Sequence, residues 1–202
     1  MAYIKVLEPG SAKGRLKTIY DRVAGPKGQV DHVLQIHSLR PHTLEGHMCL
    51  YKSVLHDTRN QLPGWYLESI GVLVSRLNHC DYCDKHHSQG LRRLLRREKL
   101  DFEVYDEALS LESPGQPFTQ REQAGLAYAR KLTQTPGAIK QADIDELRDR
   151  GFSDGQILEL NQVASYFAYA NRTVTGLGVA VDGEQLGLSP ADADDEGAWR
   201  HA

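Results

Sequence analysis

Cys80, Cys83 and His87 stand at i, i+3 and i+7 in the stretch Asn78-His-Cys80-Asp-Tyr-Cys83-Asp-Lys-His86-His87. On one helix these three positions share a face. Leu91 and Leu94 continue that stripe, so the thiols are backed by core and not scattered over a solvated surface. A helix N-terminus favours a thiolate, because its unpaired N–H groups and the helix dipole stabilise negative charge. His87, one turn past Cys83, is in reach as a proton acceptor, and deprotonation is what makes a thiol nucleophilic. The spacing therefore points to thiol redox chemistry.

Glu68 is a less obvious member of the group. On a single continuous helix it would lie about 20 Å from Cys83, at 1.5 Å rise per residue. A reversal near Asn78, which is a plausible cap ending one helix and starting the next, would make the two helices antiparallel. Glu68 and His87 then come level, and the carboxylate can orient the imidazole or hold a bridging water. A Glu–His–Cys relay follows the logic of other activated nucleophiles.

The elements that must position these residues read as helices nearly throughout. Leu16, Ile19, Tyr20 and Val23 form one apolar stripe. Leu44, Met48, Tyr51 and Leu55 form a second after Pro41, and Tyr66, Ile70, Leu73 and Leu77 a third after Pro63. Thr119-x-x-Glu122 and Ser153-x-x-Gln156 read as capping boxes. The second opens a helix with Ile157, Leu160, Ala164 and Phe167 on one face. Thr173 to Val181 is rich in β-branched residues, but it also continues that helix. The expected fold is all-α, one helical domain over residues 1–181 with about seven or eight helices. A polar, loosely held tail is expected over residues 182–202.

Composition narrows the function classes. In 202 residues, 40% are hydrophobic and 25% charged, which suits a globular chain and argues against wholesale disorder. Lys plus Arg number 24 against 27 Asp plus Glu, a net charge of −3, so charge gives no reason to expect nucleic acid or an anionic membrane as partner. No segment approaches the roughly 18 apolar residues of a membrane span. The first residues carry no basic region followed by an apolar stretch. A cytoplasmic location is expected, where three cysteines are not a secretory disulfide framework.

The sequence resembles the AhpD-like alkylhydroperoxidases of the carboxymuconolactone decarboxylase superfamily, the peroxidase-related branch in particular. The matching residues are Glu68, twelve positions before Cys80, then Cys80-Asp-Tyr-Cys83 and His87. Arg40-Pro41-His-Thr-Leu44-Glu45 is similar to the family's helix before the active site, and Tyr166-Phe167-Ala-Tyr169-Ala-Asn171-Arg172 to its late helix. The resemblance covers roughly residues 10 to 180. It implies an AhpD-like helical bundle, a homo-oligomer (trimer or hexamer) and a haem-free thiol peroxidase with no bound cofactor or metal. Hydroperoxide would be its substrate, and a dithiol such as a lipoyl-protein or thioredoxin-like protein its reductant. It also implies that Cys83 attacks peroxide, that Cys80 resolves it, and that Glu68 and His87 form the proton relay. Position alone would favour Cys80, which lies nearer the helix start. Where some members carry a His between the cysteines, this chain has Tyr82, so any role of that His is absent or passes to His86.

Other readings compete at several positions. A C-x2-C can be half of a zinc site, with His86 or His87 as third ligand, but no second C-x2-C or H-x3-H supplies a fourth. A non-catalytic redox or zinc sensor, or a decarboxylase of the same superfamily, is the rival function; the decarboxylase needs no cysteine pair. His86 points about 100° away from His87 on a helix and is read as a surface or interface residue. Cys49, beside Met48 and Leu50, is read as a buried structural thiol. Arg92, Arg93, Arg96 and Arg97 are read as a solvated face near a helix C-terminus. Tyr166, Phe167 and Tyr169 are read as core or interface, with the lining of an apolar peroxide pocket as the lesser alternative. The histidines at 32, 37, 42, 47 and 56 share no helical face and receive no role.

Overall fold

The computed structural model describes residues 2–25 and 28–187, and among them finds nine α-helices and no β-strand. In chain order these are α1 (Gly14–Val23), α2 (His32–Gln35), α3 (Pro41–Tyr51), α4 (Gly64–Leu77), α5 (Asp81–Arg97), α6 (Phe102–Ser110), α7 (Gln120–Gln134), α8 (Gln141–Asp149) and α9 (Asp154–Gly176). The all-α expectation holds. Two of the nine, α2 and α8, are short segments for which the sequence carries no long apolar stripe.

Local signals explain most boundaries. Pro41 occupies the first turn of α3, where a missing N–H costs nothing. Thr119 and Ser153 each accept from the backbone amide three residues on, while Glu122 and Gln156 return the bond; both capping boxes form as the sequence predicts. The β-branched run after Thr173 divides: α9 continues to Gly176, residues 177–178 turn, and residues 179–181 carry no regular structure.

Helix α4 is the centre of the bundle, buried along residues 66 to 75 and packed against α5, α7 and α9. Close approach of α4 to α9 depends on Gly71. A Cβ there would lie 2.3 Å from the Phe167 ring, so only glycine lets the ring seat against the helix. Glu68 is carried on this buried helix.

Residues 78–80 reverse the chain between α4 and α5. Asn78 ends α4 and donates from Nδ2 to Asn171 Oδ1 at 2.9 Å. His79 takes the left-handed conformation, with φ of 53°. The residue that begins α5 is Cys80 and not Asn78: it occupies the N-cap position. The sequence places the reversal correctly but gives the cap to the wrong residue. Asn78 has the residue type preferred at N-caps, yet its side chain is already committed to α9.

Two further expectations change. Cys49 is exposed rather than buried, because the buried side of α3 is taken by Leu44, His47, Met48 and Tyr51. The tail expected to be loose from Asp182 onward begins by packing: Glu184 and Gly187 lie against α5 and the start of α2. The rest of that tail, residues 188–202, lies outside the described residues.

Candidate active site

The reversal at 78–80 brings α4 and α5 side by side, and Glu68 meets His87. Glu68 Oε2 and His87 Nδ1 are 2.7 Å apart, the carboxylate buried and the imidazole partly exposed. This is the contact that the antiparallel reading anticipates. A carboxylate on Nδ1 fixes the tautomer and leaves Nε2 as the free basic nitrogen. The imidazole also packs nearly perpendicular to the Phe167 ring, with ring centroids 4.6 Å apart. Glu68 Oε1 is buried with no partner among the described residues.

Both thiols are free and almost fully buried, at 2% exposure for Cys80 and 4% for Cys83. Their mutual hydrogen bond drives their acidities apart. Hydrogen bonding from Cys83 lowers the Cys80 thiol to about 6 against an opposing desolvation cost, helped by the Cys83 amide and by the side chains of Thr175 and Asn171. The same hydrogen bond, together with burial and the charge on Cys80, pushes Cys83 well above an ordinary thiol. The resting pair is therefore a Cys80 thiolate receiving the S–H of Cys83. Asn171 is held for this by two bonds, accepting from Asn78 and donating to Ser75 Oγ at 3.1 Å.

Access is distributed differently. A cavity of about 60 Å³ is lined by Cys83 and His87 from α5, His47 and Tyr51 from α3, and Tyr166 from α9. Negative charge thus sits on Cys80, while the sulfur that lines the cavity is Cys83.

His86 is buried, contrary to its reading as a surface residue. It stacks on Tyr82 with ring centroids 4.5 Å apart, and its Nδ1 accepts from the Gly187 amide at 3.4 Å. Tyr82 donates to Glu184 at 2.8 Å and accepts from the Val33 amide. The tyrosine between the cysteines therefore holds the segment around Glu184 in place. Among the described residues, no group of three or more His, Cys, Asp or Glu side chains is placed to hold a metal ion. No helix among them is long and apolar enough to cross a membrane.

Several site residues escape the sequence reading. His47 and Tyr166 line the cavity, and their rings lie 5.8 Å apart. His56, on the π-helical turn Lys52–His56 that follows α3, stacks edge-on with Tyr51 at 4.6 Å. Burial lowers His47 to about 3 and His56 to about 4, so both imidazoles are neutral near pH 7. Asn171 carried a legible signal: it continues the stripe Leu160, Ala164, Phe167 as a polar residue on an apolar face. Tyr166, read first as core or interface, takes the lesser alternative and lines the cavity.

These helices and their order define an AhpD-like helical fold. The chain matches an AhpD-core, peroxidase-related protein from Ralstonia eutropha JMP134 with a TM-score of 0.75 and 21% identity, over 89% of this chain and 91% of that one. A peroxidase-related protein from Silicibacter sp. TM1040 matches with a TM-score of 0.67 and 26% identity, over 86% and 82%. The debrominase Bmp8 shares the fold with a TM-score of 0.67 and 17% identity, over 91% of each chain. No family model and no curated protein sequence matches the chain.

Proposed function

We propose that the protein is a haem-free thiol peroxidase that reduces hydroperoxides through Cys80 and Cys83, with Glu68 and His87 as proton relay. The observation that carries this reading is the Glu68–His87 hydrogen bond beside a cavity that His87 and Cys83 both line. The cavity of about 60 Å³ suits a hydroperoxyl group and a few waters, not a drug-sized ligand.

The reaction follows from the distribution of charge and access. His87 takes the proton of Cys83, and Glu68 steadies the imidazolium that forms. The Cys83 sulfur attacks the terminal oxygen of ROOH, the O–O bond breaks, and the departing RO⁻ takes the proton back from His87 and leaves as alcohol. Cys83 is now a sulfenic acid. The Cys80 thiolate attacks it, a disulfide forms, and hydroxide leaves to become water. An external dithiol, of the lipoyl-protein or thioredoxin-like kind, then restores both thiols by exchange. The trimer or hexamer implied by the family resemblance belongs to the same proposal.

Turnover tests this reading. With dithiothreitol as electron donor the protein is expected to consume hydrogen peroxide and a small alkyl hydroperoxide catalytically, and prior alkylation of both site cysteines is expected to stop it. Consumption no faster than dithiothreitol alone, with both thiols intact, would contradict it.

A further inference from the structure

Tyr166 is poorly explained as a core residue. It is buried on α9, and among the described residues its hydroxyl meets only a long contact, 3.4 Å, to His47 Nε2. His47 Nδ1 is buried with no partner among the described residues. A buried hydroxyl with so weak a bond costs stability that phenylalanine would not. Yet Tyr166 lines the same cavity as Cys83 and His87, where a hydrogen-bond donor has a use.

Resting on the peroxidase reading, we propose that Tyr166 is a catalytic residue that donates its hydroxyl proton in a hydrogen bond to the oxygen leaving the hydroperoxide, with His47 behind it as a positioning residue. Scission of the O–O bond puts negative charge on the departing oxygen. A donor aimed at developing charge in a water-poor site stabilises the transition state. The phenol does not lose its proton; the proton that completes ROH is the one His87 removed from Cys83, so the balance of the reaction is unchanged. Burial keeps Tyr166 protonated throughout. Neutral His47 can donate from Nε2–H to the phenol oxygen, which frees the single phenol hydrogen for substrate.

Two reactions of the same thiol separate this role from others. Peroxide attack expels an alkoxide that needs a donor, whereas alkylation by iodoacetamide expels iodide, which does not. In Tyr166→Phe, oxidation of Cys83 by an alkyl hydroperoxide is expected to slow by about 10²-fold, with alkylation within about twofold of wild type. His47→Leu, which keeps the phenol but removes its support, is expected to show the same selectivity at about tenfold, and decides the matter if Tyr166→Phe does not fold. Equal peroxide rates in variant and wild type would overturn the inference, as would a parallel fall in both reactions. A wild-type protein that alkylates normally but ignores peroxide would instead overturn the peroxidase reading on which the inference rests.

Discussion

Cys83→Ser is expected to lose peroxide consumption almost entirely, by at least about 10³-fold, while Cys80→Ser still consumes one equivalent and stops as a sulfenic acid at Cys83. Two considerations oppose each other here. The thiolate rests on Cys80, lowered to about 6 at the start of α5. Charge alone would make Cys80 the attacker, but the helix-dipole share of that advantage is only about 0.3–1 kcal/mol. The cavity and the base are on the side of Cys83. A peroxide must reach a sulfur before it can react, so access decides. The charge on Cys80 has a different use, since resolution of a sulfenic acid needs a thiolate already formed. Removing Cys80 also removes the neighbouring charge that raises Cys83, so the first oxidation persists. A sulfenic-acid probe and intact mass on both variants read the outcome. Labelling of Cys80 in Cys83→Ser at the wild-type oxidation rate would reverse the assignment.

His87→Ala is expected to slow peroxide attack by about 10²–10⁴-fold at neutral pH, and Glu68→Gln by less. The imidazole is the base. The carboxylate acts through it by fixing the tautomer and stabilising the charge it gains. Because Glu68 is buried with one oxygen on His87 Nδ1, glutamine keeps the volume and loses the charge. In both variants the alkylation rate of Cys83 should rise at higher pH than in wild type, since the thiol loses the group that takes its proton. Unchanged profiles in both would remove the relay and leave a thiolate favoured by the helix start alone.

Much of the site is legible because its parts are close in sequence and tied to one turn. Cys80, Cys83 and His87 follow helical spacing, and a single reversal brings Glu68 level with His87. What was not legible depends on packing between distant elements. His47 is one of many histidines until α3 is seen to bury that face, and Tyr166 is indistinguishable from core until the cavity is drawn around it. Cys49 and His86 exchange environments with what local neighbours suggest: Cys49 lies on the open side of α3, and His86 is covered by a segment one hundred residues later in the chain. The order of the helices follows from apolar stripes, but the cap of α5 does not follow from residue type, because α9 claims Asn78.

The central claim is that Cys80 and Cys83 are one redox pair. Its most direct test is addition of one equivalent of hydrogen peroxide to the reduced protein, followed by quenching with an alkylating agent under denaturing conditions and peptide mapping. The account predicts loss of two free thiols of the three, with Cys80 joined to Cys83 and Cys49 recovered alkylated. Recovery of all three thiols, or oxidation confined to the exposed Cys49, would contradict it.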